Sequence, residues 1–91
     1  MSKIIIKSLS RDEFIQLKIA EWPVWEKEVS RFSAEYDEEE HCYFLHGKVI
    51  IETENGEFVI AKNDFVIFPK GLKCIWDIKE AVKKHYNFIE S

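Results

Sequence analysis

No run of apolar residues in this 91-residue chain approaches the ~20 needed to cross a bilayer. The opening Met-Ser-Lys-Ile-Ile-Ile-Lys is too short for the apolar core of a signal peptide. The location read from the sequence is therefore cytoplasmic, with no membrane partner. Concentrated positive charge is missing too: 13 Lys and Arg stand against 17 Asp and Glu, the net charge is −4, and the lysines are scattered. Phosphate backbones call for a basic stripe, so nucleic acid is not an expected partner. Cysteine is scarce. Cys42 and Cys74 lie outside any C-x-x-C pair, and a cytoplasmic chain keeps such thiols reduced. No internal repeat or low-complexity tract breaks the chain.

Aromatic residues, by contrast, are plentiful: three Trp, three Tyr and seven Phe are more than a small two-layer core requires. A chain of this length makes one domain, residues 1–91, and buries only roughly 60–65% of its unfolded surface, so its core must be efficient. Within it we expect a short N-terminal strand and helix over 1–21 and a barrel over 22–91. Ile4, Ile5 and Ile6 between lysines read as an edge strand. Ser10-Arg11-Asp12-Glu13 has the form of a capping box, and the helix it opens must stop before Pro23.

Beyond Pro23 the period changes to that of strands. Trp22-Pro23-Val24-Trp25 is too aromatic for a solvated linker, and Val29 to Tyr36 alternates so that Phe32, Ala34 and Tyr36 share a face. His41 to Thr53 is the longest strand-like stretch, with Gly47 marking a bulge, bend or close backbone approach. Asn55-Gly56 suits a type I′ hairpin turn returning through Phe58 to Ile60. Asp64 to Trp76 reads as a strand, a corner at Pro69 and Gly71, and a second strand; a turn at Ile78 to Ala81 then precedes a last strand over Val82 to Ile89. Many short strands at near-regular spacing predict an all-β, antiparallel barrel or jelly roll with one short N-terminal helix.

Two segments resemble the paired signatures of the cupin superfamily. Glu40 to Gly47 matches the second half of G-x5-H-x-H-x3,4-E-x6-G, and Pro69 with Gly71 matches G-x5-P-x-G-x2-H-x3-N. Residues 22–28, 40–45, 68–76 and 84–87 resemble the small single-domain cupins related to ureidoglycine aminohydrolase, a likeness extending from Trp22 to Phe88. The resemblance implies an RmlC-like double-stranded β-helix, a homodimer, and a divalent metal held by two His and a Glu of the first motif and a His of the second. Here the first two His positions fall on Ala34 and Tyr36, or on Ser33 and Glu35, and the last falls on Cys74. Of the four ligands Glu40 alone remains. Manganese suits oxygen and imidazole donors, whereas a thiolate at Cys74 favours zinc or Cu(I).

The pocket residues expected from sequence are Glu40, Cys74, Tyr36, Cys42, Trp76 and His85. Glu40 leads an alternating run in which, without a bulge, Cys42, Phe44 and His46 share its face; a buried carboxylate there needs donors. Cys74 is either a small buried hydrophobe or a reactive thiol. His41 and His46 are read as exposed, and His85 as lining the cavity with Tyr86 as the alternative, since neighbours on a strand face opposite ways. Trp25, Tyr36, Phe44, Phe65 and Trp76 are candidates for an aromatic wall. The functional expectation is a module binding a small molecule inside the barrel, without a required cofactor. Its rival is a metal-assisted enzyme on a ureido or amino compound, with Glu40, Cys74 and His85 holding the ion. A third reading, a thiol sensor, requires Cys42 or Cys74 to be exposed.

Overall fold

The computed structural model describes residues 3–89 and confirms an all-β, antiparallel barrel with one short N-terminal helix. Two long strands organise it. β4 (Glu39–Thr53) and β7 (Lys73–Ile89) pair antiparallel along nearly their whole length, from Glu39↔Ile89 to Glu52↔Ile75. Each is longer than a flat sheet of this size allows, so both bend and take different partners at their two ends. β6 (Asp64–Phe68) lies beside the first half of β4 and β5 (Gly56–Ala61) beside its second. β3 (Arg31–Glu35) lies beside the first half of β7 and β2 (Val24–Lys27) beside its second. β1 (Ile5–Ser8) closes the order as an edge strand on β6.

The bend has a local cause. Register slips between Phe44 and Val49, and Gly47 sits there at φ 103°, a region that only glycine enters cheaply. A Cβ at Gly47 would lie 2.4 Å from the Ala81 carbonyl oxygen, so the two backbones cross where no side chain fits. The same crossing corrects one expectation and accounts for another. Ile78 to Ala81 is not a turn, because β7 runs through it as the partner of the bulge. His46 leaves the face of Glu40, Cys42 and Phe44 and is exposed, because the bulge adds a step to the alternation.

The hairpin differs from expectation as well. β4 and β5 meet through Glu54 and Asn55, and Gly56, already paired with Thr53, takes the positive φ in place of Asn55. At the other corner, Gly71 has φ 86° and its N–H donates to the Tyr36 carbonyl at 2.7 Å, while Tyr36 N–H donates to Leu72 at 2.9 Å. The Pro69–Gly71 corner is thus tied to the residue that follows β3. Ser10 caps α1 (Arg11–Gln16) as its capping box predicts, and a 3-10 turn follows over Ile19–Glu21. Phe14 of the helix packs edge-on against Tyr43, on the outer face of β4.

Inward residues of the half-barrel beyond the bulge are wholly apolar: Val49, Ile51, Ile60 and Ile78 are at most 1% exposed. The other half is aromatic and contains charge.

Candidate functional site

That second half holds a cavity of about 460 Å³ between β2, β3, the start of β4 and the end of β7. Trp25, Phe32, Ala34, Tyr86 and Phe88 form its walls, and Glu35, Asp37 and Glu38 stand exposed at its rim. Buried Tyr36, Glu40, Trp76 and Lys84 form its floor. Alternation builds this floor. Glu40 shares the inner face of β4 with Cys42 and Phe44, and Lys84 shares that of β7 with Trp76 and Val82.

Lys84 is the central side chain. It is 4% exposed, and its Nζ donates to both oxygens of Glu40 at 3.4 Å and to Cys42 Sγ at 3.3 Å. The ammonium also lies 4.7 Å from the ring centroid of Trp76 and 5.0 Å from that of Trp25, with Phe44 and Phe68 within 6 Å. Register explains the cage, because β7 is sandwiched between β2 and β4 and Lys84 lies directly between Trp25 and Phe44. Glu40, itself 5% exposed, obtains its donors here.

The remaining floor groups hold their protons. Trp76 Nε1 donates to Tyr36 Oη at 3.1 Å, and the Tyr36 ring stacks on Phe68. Burial, reinforced by the Glu40 charge, raises the Tyr36 phenol above its ordinary range. Burial also raises the Cys42 thiol, with the Lys84 charge pulling the other way and losing. Cys74 is raised to about 11 by burial alone. With both thiols buried, the sensor reading loses the accessible low-pKa sulfur it requires.

The structure brings together four of the six residues expected from sequence: Glu40, Tyr36 and Trp76 line the floor, and Cys42 touches Lys84 from behind it. Two are elsewhere. Cys74 faces inward from β7 opposite Ala34, but it borders a separate groove with Ser33 and Glu52, so the sulfur beside Glu40's ion pair is Cys42. His85 has the outward parity and its Nδ1 donates to the Trp22 carbonyl at 2.9 Å, pinning the chain before β2 to β7. Tyr86 takes the cavity side instead. Of the expected aromatic wall, Phe44 lies beneath the floor, and Phe65 packs against His41 and Lys7 away from the cavity.

Glu40, Cys74 and His85 therefore do not form a ligand set. Among the described residues no group of three or more His, Cys, Asp or Glu could hold a metal ion. A divalent cation beside Glu40 would meet one carboxylate already facing an ammonium, a protonated thiol and a protonated phenol. Such a donor set does not fit a divalent ion.

Lys84 was missed because lysine is among the residue types least often buried. Its signal was its parity with Val82, together with the need of a buried Glu40 for a counter-charge.

Comparison with known proteins gives the family and the fold. The EutQ-like cupin domain model matches residues 15–86. The crystal structure of a DUF861 family protein from Thermotoga maritima superposes with a TM-score of 0.93 at 46% identity, over 96% of this chain and 100% of that one. The EutQ protein of Clostridium difficile superposes with a TM-score of 0.66 at 17% identity, over 71% of this chain and 52% of that one. No curated protein sequence matches the chain.

Proposed function

This chain belongs to the EutQ-like cupin domain family, and from that premise we propose that it is a small-molecule-binding module whose ligand enters the aromatic half of the barrel and rests on the Glu40–Lys84 floor. One observation carries the reading: a cavity of about 460 Å³, apolar on its walls, ends on a buried and fully partnered pair of charges. Binding sites for small molecules combine those two properties, apolar walls and a few convergent polar groups. The rim adds selectivity. Glu35, Asp37 and Glu38 make the entrance negative, and ring faces attract cations, so the ligand class favoured is a compact amine or amide with an apolar body. The Lys84 charge at the floor repels a second cation, which keeps the amino end of such a ligand at the rim.

The rival, a metal-assisted enzyme on a ureido or amino compound of the kind implied by the likeness to ureidoglycine aminohydrolase, needs Glu40, Cys74 and His85 around one ion. Their placement gives it no support. Homodimer formation through the β1 edge, where Ile5 is 48% exposed, belongs to the same proposal and is tested by sedimentation of the purified protein.

The direct test is an NMR titration with n-propylammonium, propionamide and propionate, reading the indole N–H signals. Trp25 and Trp76 should shift in that order of probe strength, Trp22 should stay still, and Ala34→Phe should abolish the shifts by filling the cavity. Shifts that survive Ala34→Phe, or no shift with any probe, overturn the reading.

A further inference from the structure

We infer that the Lys84 ammonium is the resident cation of this barrel: it performs with a covalently attached charge the structural task of a bound divalent ion, and it closes the interior to metals. The inference deepens the cavity reading and rests on it only for the position of the floor.

Three observations carry it. First, the ammonium is centred on donors and π faces as a bound cation would be, with both Glu40 oxygens at 3.4 Å, Cys42 Sγ at 3.3 Å and the Trp76 centroid at 4.7 Å. Second, a surface lysine keeps its head in water, whereas this side chain is 4% exposed and ends inside the protein. The loss of hydration is offset by one carboxylate and four aromatic rings, and every buried side-chain polar atom among the described residues has a partner. Third, among the described residues the side chains around it do not make up a ligand set. A divalent ion on Glu40 would stand against the Lys84 head group 3.4 Å from both carboxylate oxygens, with the single sulfur of Cys42 as the other donor that group touches.

Mn²⁺ serves as the probe, added at one equivalent to the 91-residue protein, with the indole N–H signals of Trp76 and Trp22 compared for paramagnetic broadening. In the wild-type protein Trp76, beside the floor, should keep its intensity relative to Trp22. In Lys84→His, where Glu40, Cys42 and an imidazole face one another with no ammonium among them, the Trp76 signal should be lost selectively and return on addition of EDTA. Selective loss in the wild-type protein overturns the inference, since the site then admits a metal with Lys84 in place. No selective loss in a folded Lys84→His overturns it too, because the ammonium is then not what excludes the ion. Should Lys84→His fail to fold, Lys84→Gln provides an oxygen donor at the same position and is read the same way. None of these measurements uses an organic ligand, so a failure here leaves the n-propylammonium titration to stand or fall separately.

Discussion

β4 and β7 contribute to two sets of opposite charges, one inside the barrel and one outside. Inside, Glu40 of β4 meets Lys84 of β7, both at most 6% exposed in their side chains. Outside, Glu52 of β4 and Asp77 of β7 meet Arg31 of β3, and Lys79 closes the cluster at 2.9 Å from Asp77. The outer set has the better geometry, with Arg31 donating through both of its terminal nitrogens to the two Glu52 oxygens. The inner set has the longer contacts, at 3.4 Å, and yet it is the consequential one. Solvent screens the outer charges and would hydrate any one of them left alone, whereas a lone charge on the cavity floor has little water to turn to. Distance between partners is thus a poor guide to importance, and burial a good one.

The sharpest way to break that comparison is to remove one partner from each set. Lys84→Met, which leaves Glu40 buried without its counter-charge, should cost about 3–5 kcal/mol in urea unfolding, and adding Glu40→Leu should restore most of the loss. If the single and double variants are equally unstable, the pair is not coupled and the contrast fails.

Next in size is the response to alkali. The Cys74 thiol is raised from 9.0 to about 11 by burial, so the folded protein keeps a proton that the unfolded chain gives up. Stability is then full below pH 9 and falls as pH rises towards 11, at a limiting slope of about 1.4 kcal/mol per pH unit for each such thiol. Cys74→Ala should flatten that decline in thermal melts between pH 8 and pH 10, and an unchanged slope would show that the buried thiol is not its source.

A smaller effect sharpens the interior side of the comparison. Tyr36→Phe removes the acceptor of the Trp76 indole N–H, an unsatisfied buried donor worth about 1–3 kcal/mol, and should move the Trp76 fluorescence maximum. The least effect belongs to the outer set. Arg31→Ala should leave the melting temperature within experimental scatter, and 1 M salt should erase what difference remains. A large loss there would show that the exposed cluster, too, holds the barrel together.

Several features of the site were legible in the sequence because they are properties of single strands. Alternation placed Glu40, Cys42 and Phe44 on one face, and the turn chemistry of Pro69 and Gly71 marked the corner next to Tyr36. The feature that defines the site was not legible, because it belongs to a pair of strands. Lys84 acquires its role only when β7 is inserted between β2 and β4, which brings Trp25 and Phe44 to either side of it and Glu40 opposite. His85 was misplaced for a related reason, since both parities of Lys-His-Tyr-Asn carry residues that suit a cavity.

What the sequence alone determined is the class of fold: its period, its turn residues and its cupin-like spacing allow an antiparallel barrel and little else, since each of these signals is local and set by backbone sterics and side-chain alternation. Tertiary structure alone decided which charge the barrel encloses and which histidine it turns away. Those outcomes depend on the bulge at Gly47 and on the register of β4 against β7, where one step moves every side chain to the opposite face.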